Sequence, residues 1–515
     1  MGDAVRAAEL LGNSAALAFI ACLIALPPGV FSGYLLSRRG IRGIRIARFL
    51  ILLGLCTPLP VTALAWQIVL SAWLPPLTLN PGEVAWRPWS RGLFPAGIIH
   101  GIAAWPWVVG IVVVLLSRVD RELEDQARVD GGERSVFRRV LWPKLKLAVA
   151  VSAAWVGVQA FTEIPIADAM MVRTYAEEIY TQLVGAGSDY RPTLLATLPA
   201  SLVWVGLGFM LLRQVQRAWM PREVPSESLR NLPGTSAWAS SIVLWAALSL
   251  FVVVPIAALV GRAAGASSST EPTASRFVAE VGRVAEGEGP LLARSLFEAV
   301  AAALVLAAFA WAACWLAERR RWAAALLTLV CLILTVLPGP LVGLLLKDLI
   351  VTVATWESTA FYIVGIGAEF PPMRSLLYDQ PSPLPMMLAV WLRYFPLAVL
   401  MVLPAFRAIP TTLWDAAASD GLGLLGQYRR IVKPYTAGAF RWVVPACTVL
   451  MLGEVSAVKI VNPPFHQIYI LRLFDMMHYG AETTVAALAL LQIVAAAGLC
   501  ALLQGAVTWP SSRGS

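Results

Sequence analysis

The chain alternates long apolar runs with short polar breaks. Runs of about twenty residues are the length of a helix that crosses a bilayer, and they fall at about 14–36, 46–73, 94–117, 147–167, 193–213, 238–261, 295–317, 323–346, 386–406, 437–457 and 483–505. Eleven membrane helices are therefore expected, in an all-α polytopic protein. The alternative of a membrane barrel needs alternating segments of about ten residues, and the pattern has none. Two polar stretches interrupt the runs with related composition: "EDQARVDGGERSVFRRVLWP" at 124–143 and "WDAAASDGLGLLGQYRRIVKP" at 414–434.

Composition agrees with the pattern. The 515 residues are 58% hydrophobic and 14% charged, with mean hydropathy +0.72, against roughly 25% charged in an average soluble domain. The N-terminal "MGDAVRAAELLGNSAALAF" lacks the basic start and the cleavage site of a secretory signal. The formal charge of +9 reflects basic residues beside the spans, so it points to membrane orientation and lipid, not to nucleic acid. With the loop at 118–146 inside, the inner segments hold 26 Lys and Arg and the outer ones 13. This orientation places the short N-terminus outside.

Landmarks recur along the chain. "NS" at 13–14 and "RS" at 294–295 each open a span, and "TPLP" at 57–60 and "LPGP" at 337–340 each interrupt one. Trp105-Pro106 matches Phe395-Pro396, Asp125 matches Asp415, and Pro143 matches Pro434. "EEIY" ending at Tyr180 matches "HQIY" ending at Tyr469. The offsets are 281, 280, 290, 290, 291 and 289, the step being assigned to a longer outer loop around 348–385. Six spans separate Asp125 from Asp415, so the two repeats run parallel, and the helix at 238–261 joins them. The expected division is a first repeat over 1–213, a linker, joining helix and outer loop over 214–293, and a second repeat over 294–515. The polar outer stretch before Pro290 reads as a plain linker with one short helix.

Each polar loop is suited to docking. Asp415 can face a helix N-terminus, Ala416, Ala417 and Ala418 make a flat short helix, and Gly421 permits a sharp turn. One such loop is explained by a capped connection; two on one face suggest a two-fold partner. These residues resemble the EAA loop of binding-protein-dependent ABC importer permeases. The second copy carries the pattern at Asp415, Ala416, Ala417, Gly421, Ile431 and Pro434. The first carries it less closely at Asp125, Ala127, Gly131 and Pro143, with Gln126 in a small-residue position. The two-half architecture is similar to the fused permeases of ferric-iron and thiamine uptake, with MetI-like transmembrane domains.

That resemblance implies a multi-pass protein of the bacterial inner membrane. Two ATPase subunits on the cytoplasmic side would grip the loops, and an extracytoplasmic solute-binding protein would deliver the solute, with ferric iron the first choice. ATP would be bound by the partners, because the chain has no GxxxxGK[ST] phosphate loop and needs no cofactor of its own.

Weaker features remain. Glu163 and Glu454 share a repeat position and are candidate pathway residues, as are the helix-breaking Pro58, Pro60, Pro338 and Pro340. Structural roles compete in each case. His100, His466 and His478 lack metal-ligand spacing, so no metal site is assigned. Arg393 is placed as a snorkelling residue. The rival functions are an ion-coupled secondary transporter with parallel repeats and a polytopic membrane enzyme. The latter lacks a cluster of catalytic residues, so the chain is read as a non-enzyme.

Overall fold

A computed structural model describes residues 2–38, 40–73, 89, 91–117, 119, 121–185, 202–203, 206, 209–210, 234–266, 272–364, 372–479 and 482–506. Among them there is no strand, and nine helices are long and apolar enough to cross a membrane. They are Ala8–Leu36, Leu93–Leu116, Glu122–Thr162, Ala237–Ala263, Ala274–Arg319, Gly339–Val364, Leu384–Arg407, Leu424–Leu452 and Glu482–Leu503. A tenth candidate is the pair Ile44–Cys56 and Leu59–Ala72, bent by 104°. The all-α polytopic reading therefore holds. Most of the expected span at 193–213, and the linker at 213–230, lie outside the described residues.

Two expectations need correction. The run at 323–346 is interrupted at 337–340 as expected, into Arg321–Val336 and Gly339–Val364, but the second helix continues well past the expected end. Much of the supposed outer loop at 348–385 is thus helical, with a further turn at Pro372–Arg374. The stretch read as a linker with one short helix is, from Ala274, the start of a single helix, Ala274–Arg319; its glycines and Pro290 are poor helix formers, but the good formers around them outweigh them. Pro143 and Pro434 each lie just past a widened turn of a helix that continues through them. The chain passes through one wide turn, Val136–Leu141 or Tyr428–Val432, and runs on into the next span. Proline lacks the donor for an ordinary helical bond and crowds the carbonyl four residues back, so the helix opens to the next carbonyl. Trp142 donates to Phe137 and Lys433 to Tyr428, each one residue ahead of the proline. Val254, before Pro255, donates to Ser249 in the same manner.

The chain forms two compact units. The first comprises residues 1–177, 206–282 and 481–515, the second 178–205 and 283–480. In the first, helix Gly2–Leu36 lies along Leu93–Leu116 through reciprocal glycine pairs. A methyl group on Gly29 or Gly33 would come within 2.6 Å of Val108 or Val112, and one on Gly97 or Gly101 within 2.6 Å of Ile20 or Ile24. Lipid offers no hydrophobic drive between helices, so close van der Waals contact at small residues holds them. The C-terminal helix Glu482–Ala506 belongs to this unit and packs on Ile44–Cys56 and Val254–Ala263.

In the second unit two breaks in helical structure meet. Pro338 forces Leu337 out of the helical region (φ −65°, ψ 127°), and the helix that restarts at Gly339 rests on the loop after Leu452. Arg393 donates from Nη1 to the Leu337 carbonyl at 2.9 Å. It therefore satisfies backbone freed by the proline rather than snorkelling, as broken backbone at membrane depth requires. The neighbouring Tyr394 hydroxyl donates to Glu454 at 2.7 Å, and the other Glu454 oxygen accepts the Ala457 N–H at 3.0 Å.

Candidate functional site

The first polar loop begins as helix Arg121–Ser135, which breaks at Gly131 and Gly132. Asp125 is exposed, Ala127 is buried and Pro143 is exposed. The acid that anchors the loop is Glu124, which the sequence pattern did not mark. It is buried in a 2.8 Å ion pair with Arg38, at the end of the first helix. Arg128 bridges the break, bonding to Asp125 and Glu133, each at 3.2 Å. Those hydrogen bonds hold the Glu133 carboxyl below its ordinary range, so this clip is complete at neutral pH and is lost as pH falls through the lowered value.

The turn requirement falls on Gly132, not on the motif's Gly131. Gly132 has φ 69° and ψ −162°, whereas Gly131 has φ −171°. The former region is open essentially to glycine alone and costs other residues about 1–3 kcal/mol. Gly132→Ala is expected to lower stability by about that amount, measured as denaturation of the purified protein in detergent, with Gly131→Ala losing less.

The second loop has the same plan. Helix Thr411–Ser419 buries Ala417, the counterpart of Ala127, and leaves Asp415 and Ala416 exposed. It ends on Gly421, at φ 63°. There Gly421 donates to the Ala418 carbonyl and Leu422 to the Ala417 carbonyl, the paired closure that favours glycine at a helix end. Leu424–Gln427 follows, then the wide turn carrying buried Ile431, then Pro434. Arg319, at the end of helix Ala274–Arg319, donates to Gln427, whose amide in turn donates to the Leu422 carbonyl at 2.8 Å. Arg319 stacks on Trp315, and Arg38 on Tyr34, at 5.1 and 5.0 Å. In both units, then, an arginine closing the first helix, resting on an aromatic one turn earlier, reaches the loop.

The candidate pathway residues are distributed differently. Pro58, Pro60, Pro338 and Pro340 are buried at helix breaks. Glu454 is buried within its hydrogen bonds to Tyr394 and Ala457. Glu163 is half-buried at the end of Trp142–Thr162, within electrostatic reach of His100. His466 is buried beside Arg294, at 2.9 Å, and Glu298, at 3.3 Å, so it ties the loop before Tyr469 to helix Ala274–Arg319.

Beyond Glu163 and Glu454 the chain turns through two left-handed residues that are not glycine, Met171 (φ 54°) and Phe465 (φ 66°). Such a residue costs about 1–2 kcal/mol, and both side chains are exposed, by 67% and 88%. Four residues later Tyr175 donates its backbone N–H to Ser14 at 2.9 Å, and Tyr469 does so to Ser295 at 3.1 Å. The residue placed like Tyr469 is therefore Tyr175, not Tyr180. The shared "IY" letters gave the wrong register.

Among curated proteins, the chain is 29% identical over 198 residues to a Haloferax volcanii protein described as a probable molybdenum ABC transporter permease. The match covers 38% of this chain and 69% of that protein. No family model matches the chain, and no solved structure does. The similarity supports a transmembrane permease of an ABC importer. Together with the nine apolar helices, it makes this a multi-pass protein of the cell membrane.

Proposed function

We propose that this chain is a transmembrane permease subunit of an ATP-driven importer, made of two parallel permease repeats fused in one polypeptide. The repeats follow the division 1–213 and 294–515, with 214–293 joining them. Each lowers one coupling loop to the cytoplasm, centred on Asp125, Ala127 and Gly131–Gly132 in the first and on Asp415, Ala416, Ala417 and Gly421 in the second. Two ATPase subunits bind these loops and an extracytoplasmic binding protein presents the solute. The observation that carries this reading is the loop architecture found in both units. In each, a short helix with a buried alanine closes on a left-handed glycine (Gly132 or Gly421) and leads into a wide turn continuous with a long apolar helix. Because that helix is unbroken from Leu424 to Leu452, displacement of the loop moves a span directly.

For the solute we favour an inorganic ion. The fused two-half architecture resembles ferric-iron uptake permeases, and the relative from Haloferax volcanii is described as a molybdenum transporter permease. A separate binding protein is expected to carry most of the selectivity for the cargo.

The test is reconstitution in liposomes with co-expressed ATPase subunits and candidate binding proteins loaded with ferric iron, molybdate or thiamine. The reading expects ATP hydrolysis stimulated by a binding protein carrying one of the two inorganic ions, and uptake that stops without ATP. Uptake driven by an ion gradient with the ATPase absent would replace it with a secondary carrier. Stimulation by thiamine alone would refute the inorganic cargo.

A further inference from the structure

The first helix of each unit is tied down at both ends of a 24-residue stretch, by contacts in the same register. At one end Asn13 donates to the Arg173 carbonyl at 3.1 Å and Ser14 accepts the Tyr175 N–H at 2.9 Å. In the second unit Arg294 donates to the Gln467 carbonyl at 3.0 Å and Ser295 accepts the Tyr469 N–H at 3.1 Å. Tyr175 and Tyr469 each open a helix, whose first N–H groups lack partners of their own. Ser14 and Ser295 supply that partner from another helix. At the far end are Arg38, paired with Glu124, and Arg319, bonded to Gln427.

The spacing between the two ends is the same in both units. Ser14 and Arg38 are 24 residues apart, and so are Ser295 and Arg319. At 1.5 Å per residue this is about 36 Å, enough to cross a hydrocarbon core of about 30 Å. The partners differ chemically between the units, a carboxylate against an amide at one end and an amide against a guanidinium at the other, yet the contacts fall at the same places. The other route out from each coupling loop is interrupted: Trp142–Thr162 stops at Glu163, and Lys433–Leu452 stops ahead of Glu454. The first helix runs through without a break, even across Pro27 and Pro28.

Resting on the permease reading, we propose that the first helix of each unit is a transmission rod. Arg38 and Arg319 are positioning residues that take up the movement of the coupling loop. Ser14 and Ser295, with Asn13 and Arg294, deliver it about 36 Å away to the turns that hold Met171 and Phe465 in left-handed conformations. The rod makes ATP-driven loop movement and rearrangement of the outer turns a single event.

The experiment measures solute uptake per ATP hydrolysed, in liposomes holding the full chain with its ATPase subunits and binding protein. The combined variant Ser14→Ala and Ser295→Ala removes only two hydroxyls, far from the coupling loops. It is expected to keep ATPase association and basal hydrolysis while uptake per ATP falls about tenfold, in the range of coupling between distant sites. At the other end, Arg38→Glu is expected to lose uptake per ATP, and the exchange Arg38→Glu with Glu124→Arg to regain it. Unchanged uptake per ATP in the serine variant overturns the rod, as does an exchange variant that folds and binds ATPase but regains nothing. Failure of the permease reading looks different: the unaltered chain would bind no ATPase, or would import without ATP.

Discussion

Gly343→Val is expected to leave no folded transporter. A Cβ at Gly343 would lie 2.6 Å from the Ala457 carbonyl oxygen and 3.0 Å from the Ile460 Cβ. One turn earlier, a Cβ at Gly339 would lie 2.5 Å from the Ser456 Cβ. The obstacle at Gly343 is backbone, and it cannot rotate away. Moving it would disturb the segment in which Glu454 holds the Ala457 N–H and the Tyr394 hydroxyl, and with it the proline break that Arg393 completes. Overpacking alone costs about 1–3 kcal/mol. The coupled loss of buried hydrogen bonds, about 1–3 kcal/mol for each group left unpaired, brings the total to the scale of a whole domain's stability. Size-exclusion profiles and thermal denaturation in detergent read the outcome. A monodisperse Gly343→Val protein with unaltered melting would show that the two breaks do not bear on one another.

Gly421→Asp should have the largest functional effect while sparing the fold. Nothing lies within 4 Å of a Cβ placed at Gly421, so the substitution meets no steric obstacle. It forces a non-glycine residue to φ 63°, at about 1–2 kcal/mol, and sets a second carboxylate beside Asp420 on a surface proposed to dock an ATPase. Folded protein should be recovered, but co-purification with the ATPase and binding-protein-stimulated hydrolysis should be lost. Gly421→Ala separates the two causes, since it carries the strain without the charge and should retain part of the association. Normal stimulation in the aspartate variant would remove this loop from the coupling path.

Much of this was legible in the sequence because the membrane imposes length and hydropathy on each helix. The apolar runs located the spans, and the paired prolines located the breaks. The two loops announced themselves as polar stretches with glycine and a following proline. What escaped had local causes. Hydropathy cannot distinguish a straight span from a pair bent by 104°, because both are equally apolar. The length of the helix that runs through Pro290 escaped because small polar residues favour a linker by composition, and only context commits them to helix. The motif marks Gly131, whereas the positive φ falls on Gly132, a one-residue difference that only the backbone reveals. Arg38, Glu124, Arg319 and Gln427 form pairs across 86 and 108 residues, and no local window joins such partners. The "RS" and "NS" landmarks were visible, but their purpose was not: each hydroxyl caps a helix some 160 to 175 residues downstream.

The helix Glu482–Ala506 packs into the first unit although it follows all of the second unit's residues in the chain. During biogenesis, the faces of Ile44–Cys56 and Val254–Ala263 that it covers must therefore wait in contact with lipid or an insertion factor until residue 506 leaves the ribosome. A nascent chain halted before Glu482 would hold every residue of the second unit and a first unit still lacking this helix. Quality control that senses exposed intramembrane surface would thus find its signal in the first unit.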